Sequence, residues 1–185
     1  MNTQPPETEV QKFLSRAAQT FASHPFKPHR LFRDGHSQTI GAYFWPRSFR
    51  FRPEKDEERL FEVAPGVKVL SHCRWQENRQ AQPTIVAWHG IEGSSASTYM
   101  LGTAQKAFAA GFNVIRMNLR TCGGTDHLTY SLYHGGLTED LREVTRQLID
   151  EGFSRLLLIG FSLGGNMVLK LAGEYGEDPP EEVLG

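Results

Sequence analysis

The sequence has few of the features that mark metal-binding, disulfide-bonded or membrane-spanning proteins. Only two of its 185 residues are cysteines, Cys73 and Cys122, and neither has a partner at metal-ligand spacing. The longest purely apolar run is Leu156 to Ile159, far shorter than the roughly 20 residues of a membrane-spanning helix. We therefore expect reduced thiols, no metal, no cofactor and no stable insertion into a membrane.

An excess of charge of either sign is also missing. The chain has 20 basic and 21 acidic residues and a formal net charge of −1, so it has no global field that would attract nucleic acid. The first ten residues are polar and contain proline, and they lack the apolar core of a secretory signal peptide. These absences predict a soluble, cytoplasmic protein that does not bind nucleic acid.

The pattern divides the chain into an N-terminal part, residues 1–24, and a larger domain, residues 25–185. In the first part a frayed tail over residues 1–8 precedes apolar residues at helical spacing, which predict an amphipathic helix. Its few cations favour packing on the domain over contact with a lipid surface. Residues 25–58 are aromatic and basic without periodicity, and we expect loops and short turns there.

Strand and helix patterns alternate from residue 59 onward. A hairpin is expected around Pro65-Gly66. Three segments are largely apolar, as in buried strands: residues 84–88, 113–117 and 156–160. An amphipathic helical pattern follows each of them, over about residues 95–110, from an N-cap at Thr138 to Gly152, and over 163–172. This order predicts an α/β fold with a mostly parallel sheet and helices on both faces.

The pentapeptide Gly160-Phe161-Ser162-Leu163-Gly164 fits the pattern G-x-S-x-G between a strand and a helix. Such a turn holds the serine in a strained conformation, so the residues two positions to either side must be small. The hydroxyl then stands above a helix N-terminus, whose N–H groups and partial positive charge stabilise an oxyanion. We predict that Ser162 is a nucleophile; a plain glycine-rich strand–turn–helix connection is the alternative.

Several stretches resemble the YheT-like group of predicted esterases in the α/β-hydrolase superfamily, to which eukaryotic abhydrolase-domain lipases are related. The matching stretches are Pro25-Phe26 with Asp34 to Ile40, His89 to Ser95, Asn118 to Gly124, Tyr133 to Gly136, and Gly160 to Met167. The resemblance runs from about residue 25 to the end of the chain. It implies the N-terminal part of an α/β-hydrolase fold and hydrolysis of short- or medium-chain acyl esters or acylglycerols, with Ser162 as nucleophile.

The resemblance also implies roles for residues in the loops that follow the strands. In His89-Gly90-Ile91-Glu92-Gly93, the backbone N–H of Ile91 would pair with that of Leu163 as the two donors of an oxyanion hole. His89 is expected to shape this loop rather than act as a base, and Arg120 to tie loops together. A phosphate-binding loop near Gly123-Gly124 is the rival, but the G-x-x-x-x-G-K-[ST] pattern is absent.

The family places its triad in the order Ser, then Asp or Glu, then His, and this chain has no histidine after Ser162. Its seven histidines are at positions 24, 29, 36, 72, 89, 127 and 134. The segment 163–185 is too short to contain a further strand-and-return unit, which takes about 30 residues. Glu182 to Gly185 read as the start of the next strand, and we expect the strand at 156–159 to present an unprotected edge.

We therefore predict a serine carboxylic-ester hydrolase by lineage, C-terminally truncated and with negligible activity alone. Its substrate would be a small acyl ester, and a complementing C-terminal polypeptide is a candidate partner. Acyl transfer or peptide hydrolysis on the same fold remains an alternative, because the acceptor site lies outside this sequence. A non-catalytic fragment or interaction module is the third reading.

Overall fold

The structure is a computed structural model that describes residues 8–47, 49 and 55–185. It divides into two compact units, Met1–Pro46 and Arg47–Gly185. The tail expected over residues 1–8 falls, except for Thr8, outside the described residues.

The first unit contains two helices, α1 (Glu9–Ser23) and α2 (Gly35–Phe44). Helix α1 confirms the amphipathic helix expected from the sequence, and a capping box between Thr8 and Gln11 starts it. Helix α2 lies where loops and turns were expected, so that expectation was wrong. The Asp34 side chain caps its first turn by accepting the Ser37 N–H at 2.9 Å.

In its described residues the second unit contains a five-stranded sheet and three α-helices. Their bounds are β1 (Glu57–Ala64), β2 (Val67–Arg74), β3 (Thr84–Trp88), α3 (Thr98–Ala109), β4 (Asn113–Met117), α4 (Thr138–Asp150), β5 (Leu156–Gly160) and α5 (Leu163–Tyr175). The strand order is β1-β2-β4-β3-β5. Strands β3, β4 and β5 pair in parallel, while β2 is antiparallel to both β1 and β4. Four of the five strands thus share one direction, and the expected hairpin, strands and alternation are confirmed.

The two faces of the sheet are covered by different helices, as the apolar strands predicted. Helix α3 packs through Met100 and Ala104 against one face, where Ile85 and Ala87 are buried. Helices α4 and α5 cover the other face, and their side chains there join those of β3 and β4: Leu141, Val144, Leu148, Met167 and Leu171. The sheet is therefore the middle layer of a three-layer α/β structure.

Two details of the helices differ from expectation. Helix α3 begins at Thr98 rather than near residue 95, because a loop that packs on the strand ends precedes it. Thr138 is the first residue of α4 and not its N-cap, which is Leu137. The Thr138 hydroxyl donates instead to a carboxylate oxygen of Glu174 on α5, at 2.8 Å.

The end of the chain pairs with the outer edge of β5. Leu156 donates its N–H to the Glu182 carbonyl at 2.7 Å and accepts the Leu184 N–H at 2.8 Å. The Leu158 N–H then donates to the Gly185 carbonyl at 2.7 Å. Residues 182–185 are thus the start of a parallel strand, as expected, and they correct the expectation of a bare edge at Leu156 and Leu158.

No helix within the described ranges is both long enough and apolar enough to cross a lipid bilayer.

Candidate active site

The register of the parallel strands decides which loops meet at their carboxyl ends. Trp88 of β3 lies opposite Gly160 of β5, so Gly90 and Ser162, each two residues further on, leave the sheet side by side. A Cβ atom added to Gly90 would lie 3.1 Å from the Ser162 Cβ. The predicted nucleophile and the predicted oxyanion loop are therefore direct neighbours.

Ser162 has the backbone conformation that the G-x-S-x-G pattern predicts. Its φ of 52° and ψ of −113° lie in a region that non-glycine residues rarely occupy, and it precedes the first residue of α5. Gly164 makes this turn possible, since a Cβ there would lie 2.5 Å from the His89 carbonyl oxygen and 2.6 Å from that of Trp88. The serine is thus held at a sharp strand-to-helix turn by backbone packed on backbone.

Two backbone N–H groups beside Ser162 have no acceptor in the described part of the chain. They belong to Leu163, at the start of α5, and to Ile91, in the adjoining loop. The Gly93 N–H bonds to the Gly90 carbonyl at 3.0 Å, which folds residues 90–93 into a tight turn with Glu92 at φ 54°. Free N–H groups at a helix N-terminus and in a tight turn are the donors that oxyanion binding requires.

His89 is locked in one tautomer by two hydrogen bonds. Its Nε2 accepts the Leu119 N–H at 3.0 Å, so its Nδ1 carries the proton and donates to the Gly90 carbonyl at 2.6 Å. The residue is fully buried, and burial lowers the pKa of its imidazole. His89 therefore fixes the loop as a neutral residue, the structural role expected from the sequence.

Two tyrosines to which the sequence assigned no individual role hold the same loop from outside. The Tyr99 hydroxyl accepts the Gly90 N–H at 3.1 Å, and the Tyr133 hydroxyl accepts the Glu92 N–H at 3.0 Å. Tyr99 follows the loop closely in sequence and Tyr133 is distant from it, and no local pattern signals either contact. The loop beside Ser162 is thus fixed on both sides of Ile91.

Arg120, which was expected to tie loops together, joins two parts of the single connection between β4 and α4 to the first turn of α4. Its guanidinium donates to both carboxylate oxygens of Asp140, at 2.8 and 2.5 Å, and to the Ser131 hydroxyl at 2.6 Å. Both charged side chains are nearly buried. Asp140, in the first turn of α4, is thus the partner of a buried ion pair.

A general base for Ser162 is not found within residues 55–185. No group there hydrogen-bonds to the Ser162 hydroxyl. The segment with His134 does lie beside the elbow, since the Asn166 side chain donates to the Gly135 carbonyl at 2.8 Å. The His134 ring, however, is exposed and accepts the Gly136 N–H at 3.2 Å. Within residues 55–185, the predicted nucleophile and the two unpaired N–H groups thus lie together, and no neighbouring side chain is bonded to the serine hydroxyl that could take its proton.

The lowered pKa of His89 makes the fold sensitive to acid. Burial also lowers the pKa of His72, with Arg116 as a second cause. As the pH falls below their ordinary pKa of 6.5, the unfolded chain binds protons before the folded chain does, so stability falls until the lowered pKa values are reached. We expect urea unfolding to show this decrease in wild type and a smaller one in His89→Gln. The exposed-ring control His134→Gln keeps the full decrease; an equally full decrease in His89→Gln would contradict the assignment.

Comparison with known proteins agrees with this geometry. A family model described as the alpha/beta hydrolase fold matches residues 83–185. The chain is 35% identical over 163 residues to YheT, a predicted esterase of Escherichia coli, with 86% of this chain and 46% of that protein covered. It is 31% identical to an abhydrolase domain-containing protein of Dictyostelium discoideum, with 84% and 40% covered. The chain thus spans less than half the length of these relatives.

Solved structures share the architecture at lower identity. An esterase of Pyrococcus furiosus superposes with a TM-score of 0.54 at 22% identity, over 68% of this chain and 51% of its own. A serine hydrolase without a lid from Xanthomonas campestris gives 0.55 at 24%, over 67% and 58%. At these identities the likeness concerns the fold.

Proposed function

Because this chain belongs to the α/β hydrolase fold family, we propose that it carries the nucleophile half of a serine carboxylic-ester hydrolase. The observation that carries the proposal is Ser162 at φ 52°, beside Gly90 and next to the unpaired N–H of Leu163. A serine in a strained conformation beside two unpaired N–H donors suits attack on a carbonyl carbon.

In the proposed reaction the Ser162 oxygen bonds to the ester carbonyl carbon, and the Ile91 and Leu163 N–H groups hold the oxyanion. The alcohol then leaves, and water releases the acyl group. A histidine would accept the serine proton and pass it to the leaving alcohol. We propose that the acid and the histidine come from further polypeptide, in cis or as a complementing C-terminal partner, and that the 185-residue chain alone has negligible activity.

Carboxylic esters of short or medium acyl chains, or acylglycerols, are the proposed substrates. Relatives of the chain include proteins named phospholipase ABHD3, in mouse, and monoacylglycerol lipase, in yeast. Ile91, beside the nucleophile, exposes a large apolar side chain to solvent, with 66% of its surface accessible. An apolar side chain at this position fits contact with an acyl chain better than with a charged substrate.

Turnover of a p-nitrophenyl ester tests the missing base. We expect the wild-type chain to release p-nitrophenolate no faster than Ser162→Ala, because a serine hydroxyl without a base is a poor nucleophile. Turnover well above the Ser162→Ala rate would show that a base is present and would overturn this part of the proposal. For any longer or complemented form that turns over, products formed with water, alcohol and amine acceptors separate ester hydrolysis from acyl transfer and peptide hydrolysis.

A further inference from the structure

A buried polar cluster lies beneath the far end of the loop that contains Ile91. At its centre is Ser95, of which 3% is exposed. The Ser95 N–H donates to the Asn118 side-chain oxygen at 2.8 Å, and its carbonyl accepts a hydrogen bond from Arg116 Nη1. Its hydroxyl lies 2.9 Å from His72 Nδ1. All three polar groups of one loop residue are thus bound by side chains of, or next to, β2 and β4.

Arg116 is an unusual residue for its place in the sheet. It stands in β4 among apolar neighbours and is 1% exposed. Its second terminal nitrogen pairs with Asp56, whose carboxylate is fully buried and also pairs with Arg74 at 2.5 Å. Burying a guanidinium is costly unless its hydrogen bonds are satisfied. Asp56 therefore orients the Arg116 guanidinium so that its other terminal nitrogen donates to the Ser95 carbonyl.

In the cluster a serine, a histidine and a carboxylate also contact one another in a row: Ser95, His72 and Glu58. His72 Nε2 lies 3.6 Å from a carboxylate oxygen of Glu58, on the opposite side of the ring from Ser95. Ser95 is nevertheless buried, and its carbonyl and N–H are both engaged, so no ester can reach its hydroxyl. The three residues are therefore a support for the loop and not a second catalytic triad.

The loop from His89 to Ser95 is consequently tied at both ends. His89 and Tyr99 hold Gly90 at the first end, and Arg116 and Asn118 hold Ser95 at the second. Ile91, with its unpaired N–H, lies between them. We propose that Arg116 is a positioning residue, which fixes the Ile91 N–H toward Ser162 by holding the Ser95 carbonyl. This inference rests on the proposed function, in which Ile91 is an oxyanion donor.

A thiol nucleophile tests the inference in this chain without needing a base. In Ser162→Cys, the introduced thiol loses its proton to buffer. The resulting thiolate bonds to the carbonyl carbon of a p-nitrophenyl ester, and the C–O bond to p-nitrophenolate breaks. Iodoacetamide alkylates the same thiolate with loss of iodide and forms no oxyanion. The ratio of acylation to alkylation rates therefore isolates oxyanion stabilisation from thiol ionisation. The native thiols of Cys73 and Cys122 are buried, and burial raises the pKa of Cys73 to about 12, so both should react slowly. Mass spectrometry of the labelled chain shows which cysteine carries the label.

We expect Arg116→Met to lower this ratio by about tenfold or more and to leave the alkylation rate unchanged. One oxyanion donor accelerates the reaction about 100- to 1000-fold, and a displaced Ile91 N–H would lose part of that acceleration. Arg116→Lys keeps the charge beside Asp56 and loses the fork, so its ratio should fall less. The matched control is Arg59→Met, which removes the ion pair of a sheet arginine with Glu151 away from this loop and should leave the ratio unchanged. An unchanged ratio in folded Arg116→Met, or in Arg116→Lys if the first variant does not fold, overturns the inference.

Two further readouts separate this inference from the proposed function. The exposed Ser154, at the opposite end of β5, gives a reference thiol in Ser154→Cys. If the ratio in Ser162→Cys does not exceed that reference, the proposed function fails. Hydrogen exchange at residues 90–95 reports loop position without any chemistry at Ser162. Exchange should quicken there in Arg116→Met while residues 163–175 stay protected, and unchanged exchange overturns the positioning role alone.

Discussion

Replacing Gly164 by alanine is expected to lower the melting temperature by about 6 to 12 °C, the equivalent of roughly 3 kcal/mol in a chain of this size. The added Cβ would stand 2.5 and 2.6 Å from the backbone oxygens of His89 and Trp88, closer than real Cβ atoms approach any heavy atom. Backbone atoms cannot rotate away as a side chain can. Helix α5 would therefore have to move off the end of β3 and take Ser162 with it.

The matched control is Gly173→Ala in the same helix. A Cβ at Gly173 meets nothing within 4 Å, so alanine there should stabilise the helix by about 0.5 to 1 kcal/mol. Thermal unfolding followed by circular dichroism compares the two variants under one condition. Similar melting temperatures for Gly164→Ala and wild type would contradict the tight contact between α5 and β3 on which the site geometry depends.

Asp140→Asn is expected to lower the free energy of unfolding by a similar amount, about 3 kcal/mol. The substitution keeps the shape of the side chain and leaves the buried Arg120 guanidinium without a counter-charge. Because Arg120 also holds Ser131, the loop that packs beside the site should loosen together with the start of α4. Urea unfolding should show a lower midpoint with an unchanged slope.

Asp150→Asn serves as the control on the same helix. Asp150 pairs with Arg146 at the surface, with more than half of each side chain exposed. Exposed pairs of this kind contribute little because water and salt screen them. We expect the unfolding midpoint of Asp150→Asn to match that of wild type. If the midpoint fell as far as in Asp140→Asn, the removal of charge from α4, rather than the burial of the ion pair, would account for the lost stability.

The sequence predicted those elements whose pattern is local. The largely apolar strands at 84–88, 113–117 and 156–160 are each followed by a helical stretch, so their buried, parallel arrangement follows from periodicity. The turn at Ser162 was predictable for the same reason, since the glycines at 160 and 164 lie within the motif that needs them. The extended conformation of residues 182–185 was likewise predicted from a local pattern, whereas their pairing with β5 was not, because a bare edge was expected there.

What the sequence could not predict depends on contacts between distant residues. Helix α2 was missed because its glycines weaken the helical pattern, and the Asp34 cap that starts it was not recognised. Asp140 looks like a solvated charge at a helix start until the fold brings Arg120 beside it. Arg116 looks like a break in an apolar strand until Asp56 and Ser95 meet it across the sheet. For these two charged residues, a partner 20 or more residues away decides the role.

We propose that Ser162 stands beside both donors of an oxyanion hole, the N–H groups of Ile91 and Leu163, and has no base. The most direct test is the time course of p-nitrophenolate release by Ser162→Cys with excess p-nitrophenyl ester, read against Ser154→Cys. We expect a burst of about one p-nitrophenolate per chain, followed by little further release. After each rate is divided by the alkylation rate of the same thiol with iodoacetamide, the burst in Ser162→Cys should be much faster than release by Ser154→Cys. Release no faster than that reference would contradict the proposal, because the N–H groups of Ile91 and Leu163 would then stabilise no oxyanion.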